Sequence, residues 1–544
     1  VRGSWTARPH FSPDGEYLYY TARTGKYAAL YRLALKAGAT PEPLTALTRH
    51  VNDALVSPDG KWIAFRRNTE IFVAPAANLP LRDEHVRRVT ADCSRSFAFT
   101  PDSSALIYAD GRRIWRQPLG CGERVEIPVR LRWRRAVAAP LLLRRVRVLD
   151  FARRGFTGET SVMIRDGRIE WIGPEGGRRI PSDASVLDGG GRYAIPGLID
   201  VHVHSAWANQ AASEDAFIAF GNTSVRDVGA SLEMLNALRD RSESTLLPVP
   251  RYWYSGEIIE GEMPLWGDAF FQIKTEEEAR RTVRRFKGWG ADWIKVYLTV
   301  PWHLQNIMAE EAQRLGMPLS GHAISFEEAV RHALQGYASV EHTTGVMHDD
   351  GRKLLAAAGT RWVATLTCEG GSEIFMREDP PVHMASELVR RFVPADKIRA
   401  ALKGGRLSYY PREFWSVNMN NSLARVYAAF RQGVPVRAGT DALMAEVFFG
   451  LSLHWELEFF HMAGLTPLEA LRLGTADAAE TVGAAEHLGA LAAGKLADIV
   501  LLDADPLENI RNTIRIWRVI KGGQVFDPQA MRAAAPQASP RPGQ

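Results

Sequence analysis

Ala194-Ile-Pro-Gly-Leu-Ile-Asp-Val-His-Val-His204 is an apolar run that ends in two histidines one residue apart. Side chains on a β-strand alternate between faces, so His202 and His204 project from the same side. Two imidazoles on one face at a strand end can share a metal ion. A half-buried strand with two polar residues is the plainer alternative. What lies downstream decides between them.

Over residues 197–483 strands and helices alternate. The strand candidates are 198–203, 223–228, 251–255, 293–298, 319–323, 339–342, 362–367 and 434–439. Helical stretches lie between most of them, at 276–289, 304–315, 326–335 and 352–358 for example. Gly290, Gly316, Gly336, Gly359 and Gly433 stand where helices should end, as expected of glycine past a helix C-terminus. Eight such units predict a (β/α)8 barrel, which gathers the C-terminal ends of its strands on one face. A doubly wound open sheet is the structural alternative. The long segment 369–424, with Tyr409, Tyr410, Phe414 and Trp415, interrupts the pattern after the seventh strand. It is expected as an insertion over the barrel mouth or as a surface excursion.

The strand ends carry the chemistry. The first ends at His202 and His204, and the fourth carries Lys295 in Trp-Ile-Lys-Val-Tyr. The fifth ends Ser-Gly-His322-Ala, the sixth Val-Glu-His342-Thr and the eighth Ala-Gly-Thr-Asp441. A barrel would bring four imidazoles, an amine and a carboxylate together. A free ammonium beside metal ions would be repelled. A lysine carbamate removes that conflict by supplying two anionic oxygens, an adduct that arginine, permanently protonated, cannot form. Only 11 of the 67 basic residues are lysine, so one in a buried strand stands out. Taken singly, His322 and His342 could be core histidines, and Lys295 could reach out to solvent along its stem.

Upstream, residues 1–139 hold a repeat. Phe11-Ser-Pro-Asp-Gly15 recurs as Val56-Ser-Pro-Asp-Gly60 and Phe99-Thr-Pro-Asp-Ser103, each followed by a strand-like run. The prolines at 13, 58 and 101 give spacings of 45 and 43 residues. Turns closing short antiparallel strands at this period resemble TolB-like β-propeller blades. Three copies make an incomplete set, since rings close with about four to eight blades. Residues 140–196 read as a small β module with a hairpin around Asp166-Gly167. A similar module at 484–530 predicts one composite β-sandwich flanking the barrel. The Ala-, Pro- and Gln-rich tail, 531–544, is expected to be disordered.

The 544 residues, 46% hydrophobic, suffice for more than one domain. No apolar run is long enough to span a bilayer. A first residue of Val rather than Met suggests a mature or truncated product, and the TolB-like repeat suits a periplasmic or secreted location. The net charge of +5 is dispersed, with small clusters at 130–135 and 144–145, and gives little support to a nucleic-acid partner. Cys93, Cys121 and Cys368 form no metal-binding pair in sequence. A Cys93–Cys121 disulfide cannot be inferred from spacing, and Cys368 is expected as a buried or half-buried thiol.

The set His-x-His, Lys, His, His, Asp resembles the amidohydrolase superfamily in its two-metal form, over about residues 140–527. Gly221-Asn-Thr-Ser-Val-Arg-Asp227, Leu465-Thr-Pro-Leu-Glu-Ala-Leu-Arg472 and Gly494-Lys-Leu-Ala-Asp-Ile-Val-Leu-Leu-Asp-Ala-Asp-Pro-Leu-Glu508 resemble its imidazolonepropionase-like and Xaa-Pro dipeptidase-like branch. The resemblance implies two divalent ions, with zinc expected. His202, His204 and Asp441 would hold the more buried one and His322 and His342 the second, with carbamylated Lys295 as the bridge. It implies hydrolysis of a carbon–nitrogen bond in a small substrate by metal-activated hydroxide, with Asp441 moving the proton. Tyr297 and Arg226 are candidates for substrate contact, each with a packing or ion-pair alternative, and His454 is expected to be structural. Rivals are a superfamily deaminase or lactonase, and a binding protein in which the propeller works and the barrel is inert. A deaminase would be expected to place a Glu soon after His322, where Glu327 and Glu328 are the nearest. Beyond a small-molecule substrate, the propeller is expected to serve access or a protein partner, and a homo-oligomer is open.

Overall fold

The His-x-His stretch forms a strand, Leu198–Val203, with every residue buried. The computed structural model describes residues 6–531 except 24–27, 46–50, 68–69, 91–92, 94–95, 112, 131–137, 177, 206–211, 263–264, 266–270, 343–347, 372–373, 376–385, 394, 403–411 and 443–446. The tail beyond Met531 lies outside the described residues, as do Tyr409 and Tyr410 and the side chains of Phe414 and Trp415. The chain divides into two compact units. One comprises 1–133, 262–273 and 288–290; the other comprises 134–261, 274–287 and 291–544.

In the first unit the three repeats form three four-stranded antiparallel meanders, a β-rich N-terminal region. Each repeat makes the same turn. Ser57 Oγ donates to Asp59 Oδ1 at 2.6 Å, Thr100 Oγ1 to Asp102 Oδ1 at 2.5 Å, and Ser12 Oγ to Asp14 in the same way. The residue after the aspartate is left-handed in all three: Gly15 at φ 75°, Gly60 at 72° and Ser103 at 58°. Glycine is favoured there because it lacks a Cβ, and Ser103 holds the same conformation without that freedom.

The second unit begins with a sheet built from both ends of its chain. Leu141–Asp150 pairs in parallel with Ser185–Pro196 and antiparallel with Thr160–Arg165. Ser185–Pro196 pairs antiparallel with Ile499–Leu502, so 141–196 and 499–526 share one continuous sheet. Asp498, from the Gly-Lys-Leu-Ala-Asp run, ties this sheet to the barrel. It is buried and takes a two-pronged contact from Arg251 at 3.0 and 3.1 Å. Arg251 opens the third barrel strand.

The eight strands expected from the sequence form as parallel neighbours in two ladders. Leu198–Val203, Asn222–Asp227 and Arg251–Tyr254 make the first. Ile294–Val296, Leu319–His322, Ser339–Glu341, Arg361–Val363 and Val436–Arg437 run through the second in sequential order. A doubly wound sheet would reverse its order partway, and this one does not. The unit is TIM-barrel-like, yet the ladder does not close continuously. On one side the ladders meet through Val201 N–H to Ala438 O at 3.2 Å and Asp441 N–H to His202 O at 2.8 Å. On the other they meet through Asp292 and Trp293 N–H to Tyr254 O. Gly439 lets the eighth strand pass close over the first: a Cβ there would sit 2.7 Å from His202 Cβ and 2.5 Å from Val363 Cγ1.

The helices have the ends the sequence prescribes. Gly316 and Gly359 cap Trp302–Leu315 and Asp349–Ala358 in left-handed conformation. Phe326–Leu334 starts with a capping box in which Ser325 and Glu328 satisfy each other's backbone N–H, and Thr466 with Glu469 repeats it at Pro467–Leu473. The segment after the seventh strand contains Glu387–Phe392, Ala395–Leu402 and Arg412–Arg431. Leu388, Val389, Met419, Leu423 and Val426 from it share a buried cluster with Trp362 and Trp455. The segment therefore contributes to the core and is more than a surface excursion. Among the described residues no helix is long and apolar enough to cross a membrane.

Candidate metal centre

His202 and His204 leave the first strand on one face, their ring centroids 5.5 Å apart. Each ring is fixed by its Nδ1. His204 Nδ1 lies 2.9 Å from Gly229 O, and a carbonyl can only accept, so that nitrogen carries the proton. His202 Nδ1 lies 2.6 Å from Glu341 Oε2, and it donates to that carboxylate. Burial alone would raise the Glu341 carboxyl, but Arg226, His202 and Lys295 hold it well below the usual carboxylate range. Both Nε2 lone pairs then face Asp441 Oδ1, at 3.4 Å from His202 and 3.1 Å from His204. Lone pairs aimed at a carboxylate oxygen require positive charge between them.

His342 and Asp441 come from the sixth and eighth strands. His202, His342 and Asp441 each offer a donor atom within 4.8 Å of the others. His322 packs against His342 with ring centroids 4.3 Å apart, and Tyr297 against His322 at 4.4 Å. Lys295 is buried at 1% exposure, and its Nζ has no hydrogen-bond partner among the described residues. Burial pushes its ammonium down to about 8, against the attraction of Glu341 and Asp441. Burial likewise lowers His342 to about 3.

Those groups fit a divalent cation. Among the described residues, His202 Nε2, Asp441 Oδ1 and Lys295 Nζ are all buried without a hydrogen bond, and buried polar atoms are rarely left so. A proton on His204 could answer Asp441, and that imidazole is indeed raised: Asp441 overcomes the opposing effect of burial. It would leave His202 Nε2 and Lys295 unanswered. Imidazoles whose second nitrogen is held by a carboxylate or carbonyl are arranged as metal-ligating histidines usually are.

Backbone strain gathers at the same place. His342 at φ 77°, Thr365 at 48° and Asp441 at 61° are the non-glycine residues of the barrel segment, among those described, with left-handed backbones. Such conformations cost on the order of 1–3 kcal/mol each and tend to cluster at functional sites.

Arg226, a candidate for substrate contact with a structural ion pair as the alternative, is wholly buried. Its Nε donates to Val201 O at 2.5 Å, Nη1 to Ser339 Oγ at 3.1 Å and Nη2 to Glu341 Oε1 at 2.9 Å, and it stacks on Trp293. It supports Glu341 and has no face left for a substrate carboxylate. His454 holds Thr513 Oγ1 and Phe220 O at 3.0 and 2.9 Å, a structural role. Cys93, Cys121 and Cys368 form no disulfide with one another. Cys368 is half-buried, and its thiol donates to Asp441 Oδ2 at 3.2 Å.

Four neighbours of the centre were not singled out from the sequence. Glu341 precedes His342, and strict alternation would aim it at the opposite face. The left-handed turn at His342 breaks that alternation. Asp200 shares the His202 face by the period of two. Its carboxylate accepts from His202 N–H at 3.2 Å, Thr440 N–H at 3.1 Å and Thr440 Oγ1 at 2.7 Å, and burial pushes it up to about 7. Thr365 Oγ1 lies 2.9 Å from His342 Nδ1. Glu456 comes from a helix far along the chain and offered no local signal.

Comparison with known proteins places the chain in a family. Residues 193–526 match the amidohydrolase family. The chain is 25% identical over 424 residues to an imidazolonepropionase of Geobacillus kaustophilus, covering 71% of this chain and 93% of that protein. It is 22% identical to an adenine deaminase of Chelativorans sp., covering 67% of this chain and 54% of that one. Among solved structures, a putative prolidase from Bifidobacterium longum superposes with a TM-score of 0.57 at 25% identity, covering 72% and 95% of the two chains. A Xaa-Pro dipeptidase with bound methionine gives 0.56 at 21%, covering 71% and 100%, a likeness of fold. The match spans well over half of the chain, which belongs to the amidohydrolase family.

Proposed function

We propose that this protein is a metal-dependent hydrolase that cleaves a carbon–nitrogen bond, in an amide, cyclic amide or dipeptide, of a small substrate. The observation that carries this is the cluster of His202, His342 and Asp441 donor atoms within 4.8 Å of one another, with His202 Nε2, Asp441 Oδ1 and Lys295 Nζ buried and, among the described residues, without hydrogen bonds. The imidazolonepropionase, Xaa-Pro dipeptidase and prolidase names among its relatives support the bond class.

His202, His204 and Asp441 would hold one divalent ion and His322 and His342 a second, with Lys295 bridging as a carbamate. Zinc suits this set of imidazole and oxygen donors. Divalent ions held there would make a water nucleophilic near neutral pH and polarise the scissile carbonyl. Asp441 takes a proton at its carboxylate and delivers it to the leaving nitrogen. Glu341 and Gly229 O keep the Nε2 lone pairs of His202 and His204 facing inward. Tyr297, beside His322, orients the substrate. Arg226 is not part of this role.

The deaminase alternative loses its acid. Glu328 Oε2 accepts from Ile324 and Ser325 N–H at 2.8 and 3.1 Å and so caps a helix, while Glu327 is exposed. We further propose that the meanders of the N-terminal region are TolB-like propeller blades serving access or a partner, because no candidate ligand precedes residue 140.

Elemental analysis of protein purified without chelator should find about two divalent ions per chain. One ion or none in an active preparation would remove the two-metal arrangement. In a panel of N-acyl amino acids, dipeptides and cyclic amides, with lactones and aryl esters as controls, turnover should favour the carbon–nitrogen substrates. Activity on the lactones alone would overturn the bond assignment and leave the metal site standing.

A further inference from the structure

The seventh strand exits into a tight turn that touches both sides of the metal centre. Thr365 Oγ1 meets His342 Nδ1 at 2.9 Å, and the Cys368 thiol donates to Asp441 Oδ2 at 3.2 Å. Between them Thr367 Oγ1 lies 3.2 Å from Thr440 O, the residue before Asp441. The turn is strained, because Thr365 is β-branched and sits at φ 48°, a genuine outlier for such a side chain.

A single buried carboxylate holds that strain. Glu456, in the helix Leu451–Met462, is fully buried. It accepts from Leu366 N–H and Thr367 N–H, both at 2.9 Å, and lies 3.1 Å from Thr367 Oγ1. The turn is pressed onto the same helix: a Cβ at Gly371 would stand 2.4 Å from Phe459 Cε2 and 2.5 Å from Leu366 O. The turn therefore cannot relax without giving up Glu456.

We propose that the Thr365–Cys368 turn is a clasp held by Glu456 across the metal centre, which makes Glu456 a positioning residue for His342 and Asp441. Glu456 touches neither ligand and acts on both through the turn. The inference rests on the two-metal reading above. Outer partners of metal ligands typically set affinity by about 10–100-fold.

The test is zinc affinity of the full chain by competition with a chromophoric chelator, with melting temperature as a control. Glu456→Gln keeps the size of the side chain but sets an NH2 against a backbone N–H. It should weaken zinc binding by about 10–100-fold in folded protein. Thr365→Val and Cys368→Ala, which cut the two ends of the clasp, should each weaken it as well. In the double variant Glu456→Gln/Thr365→Val the losses should fall short of their product, since both act along one path. A folded Glu456→Gln protein with zinc affinity within about twofold of the parent overturns the proposal, and so do losses that simply multiply. If Glu456→Gln does not fold, the two end variants decide: both within about twofold of the parent also overturns it. A parent chain that binds no zinc defeats the two-metal reading and this inference with it, whereas a zinc-binding parent matched by Glu456→Gln defeats this inference alone.

Discussion

Lys295→Arg should lose turnover on the order of 10³-fold or more while the protein remains folded. Lys295 is buried, has no hydrogen bond among the described residues, and is pushed down to about 8 by that burial. At a pKa of about 8, about a tenth of the amine is neutral at pH 7, and that share grows as pH rises. The neutral amine can attack carbon dioxide: a nitrogen–carbon bond forms, a proton leaves the nitrogen, and two anionic oxygens replace a cation. Arginine remains charged and cannot follow this path. Its fork is also bulkier, so Lys295→Ala is the companion variant. Adding a short-chain carboxylic acid should restore part of the lost turnover in Lys295→Ala, because the acid places oxygens where the carbamate stood. Near-parental turnover in Lys295→Arg would exclude the carbamate bridge.

How far the sequence alone carries differs between backbone and site. The barrel strands are legible because each is a short apolar run that ends in a polar residue before a helix. The helix ends are legible because Gly316 and Gly359 occupy a backbone that other residues resist. His202 and His204 are legible because a strand repeats every two residues. Glu341 is hidden for the same reason, since the period predicts the wrong face until His342 turns left-handed. Arg226 keeps two readings in the sequence, substrate contact or structural ion pair, because its residue type fits either and its burial is decided by Val201, Trp293 and Ser339 from other strands. Glu456 has no local signature: its partners, Leu366 and Thr367, lie about 90 residues away. Local periodicity fails at Glu341, where the backbone is strained, and local pattern of any kind is silent at Arg226 and Glu456, whose partners are distant.

Asp441→Asn should lower turnover by about 10²–10⁴-fold, the range expected when a positioned proton carrier is lost. Burial would raise the Asp441 carboxyl, but His202 and His204 outweigh it and hold it well below the usual carboxylate range. A group with a depressed pKa stays ionised as pH falls, so Asp441 does not titrate between pH 5 and 8, and any limb of the rate profile in that range belongs to another group. Asparagine should therefore lower the plateau without moving such a limb. Loss of the carboxylate could act through metal binding or through proton delivery, and the leaving group separates them. An alkyl amine must be protonated as it departs, whereas p-nitroaniline leaves with far less help. If Asp441 delivers that proton, the loss in Asp441→Asn is much larger for an alkyl amide than for the matching anilide. Equal losses on both substrates would show that Asp441 only holds metal and that another group moves the proton. Turnover within tenfold of the parent on the alkyl amide would remove Asp441 from the chemistry altogether.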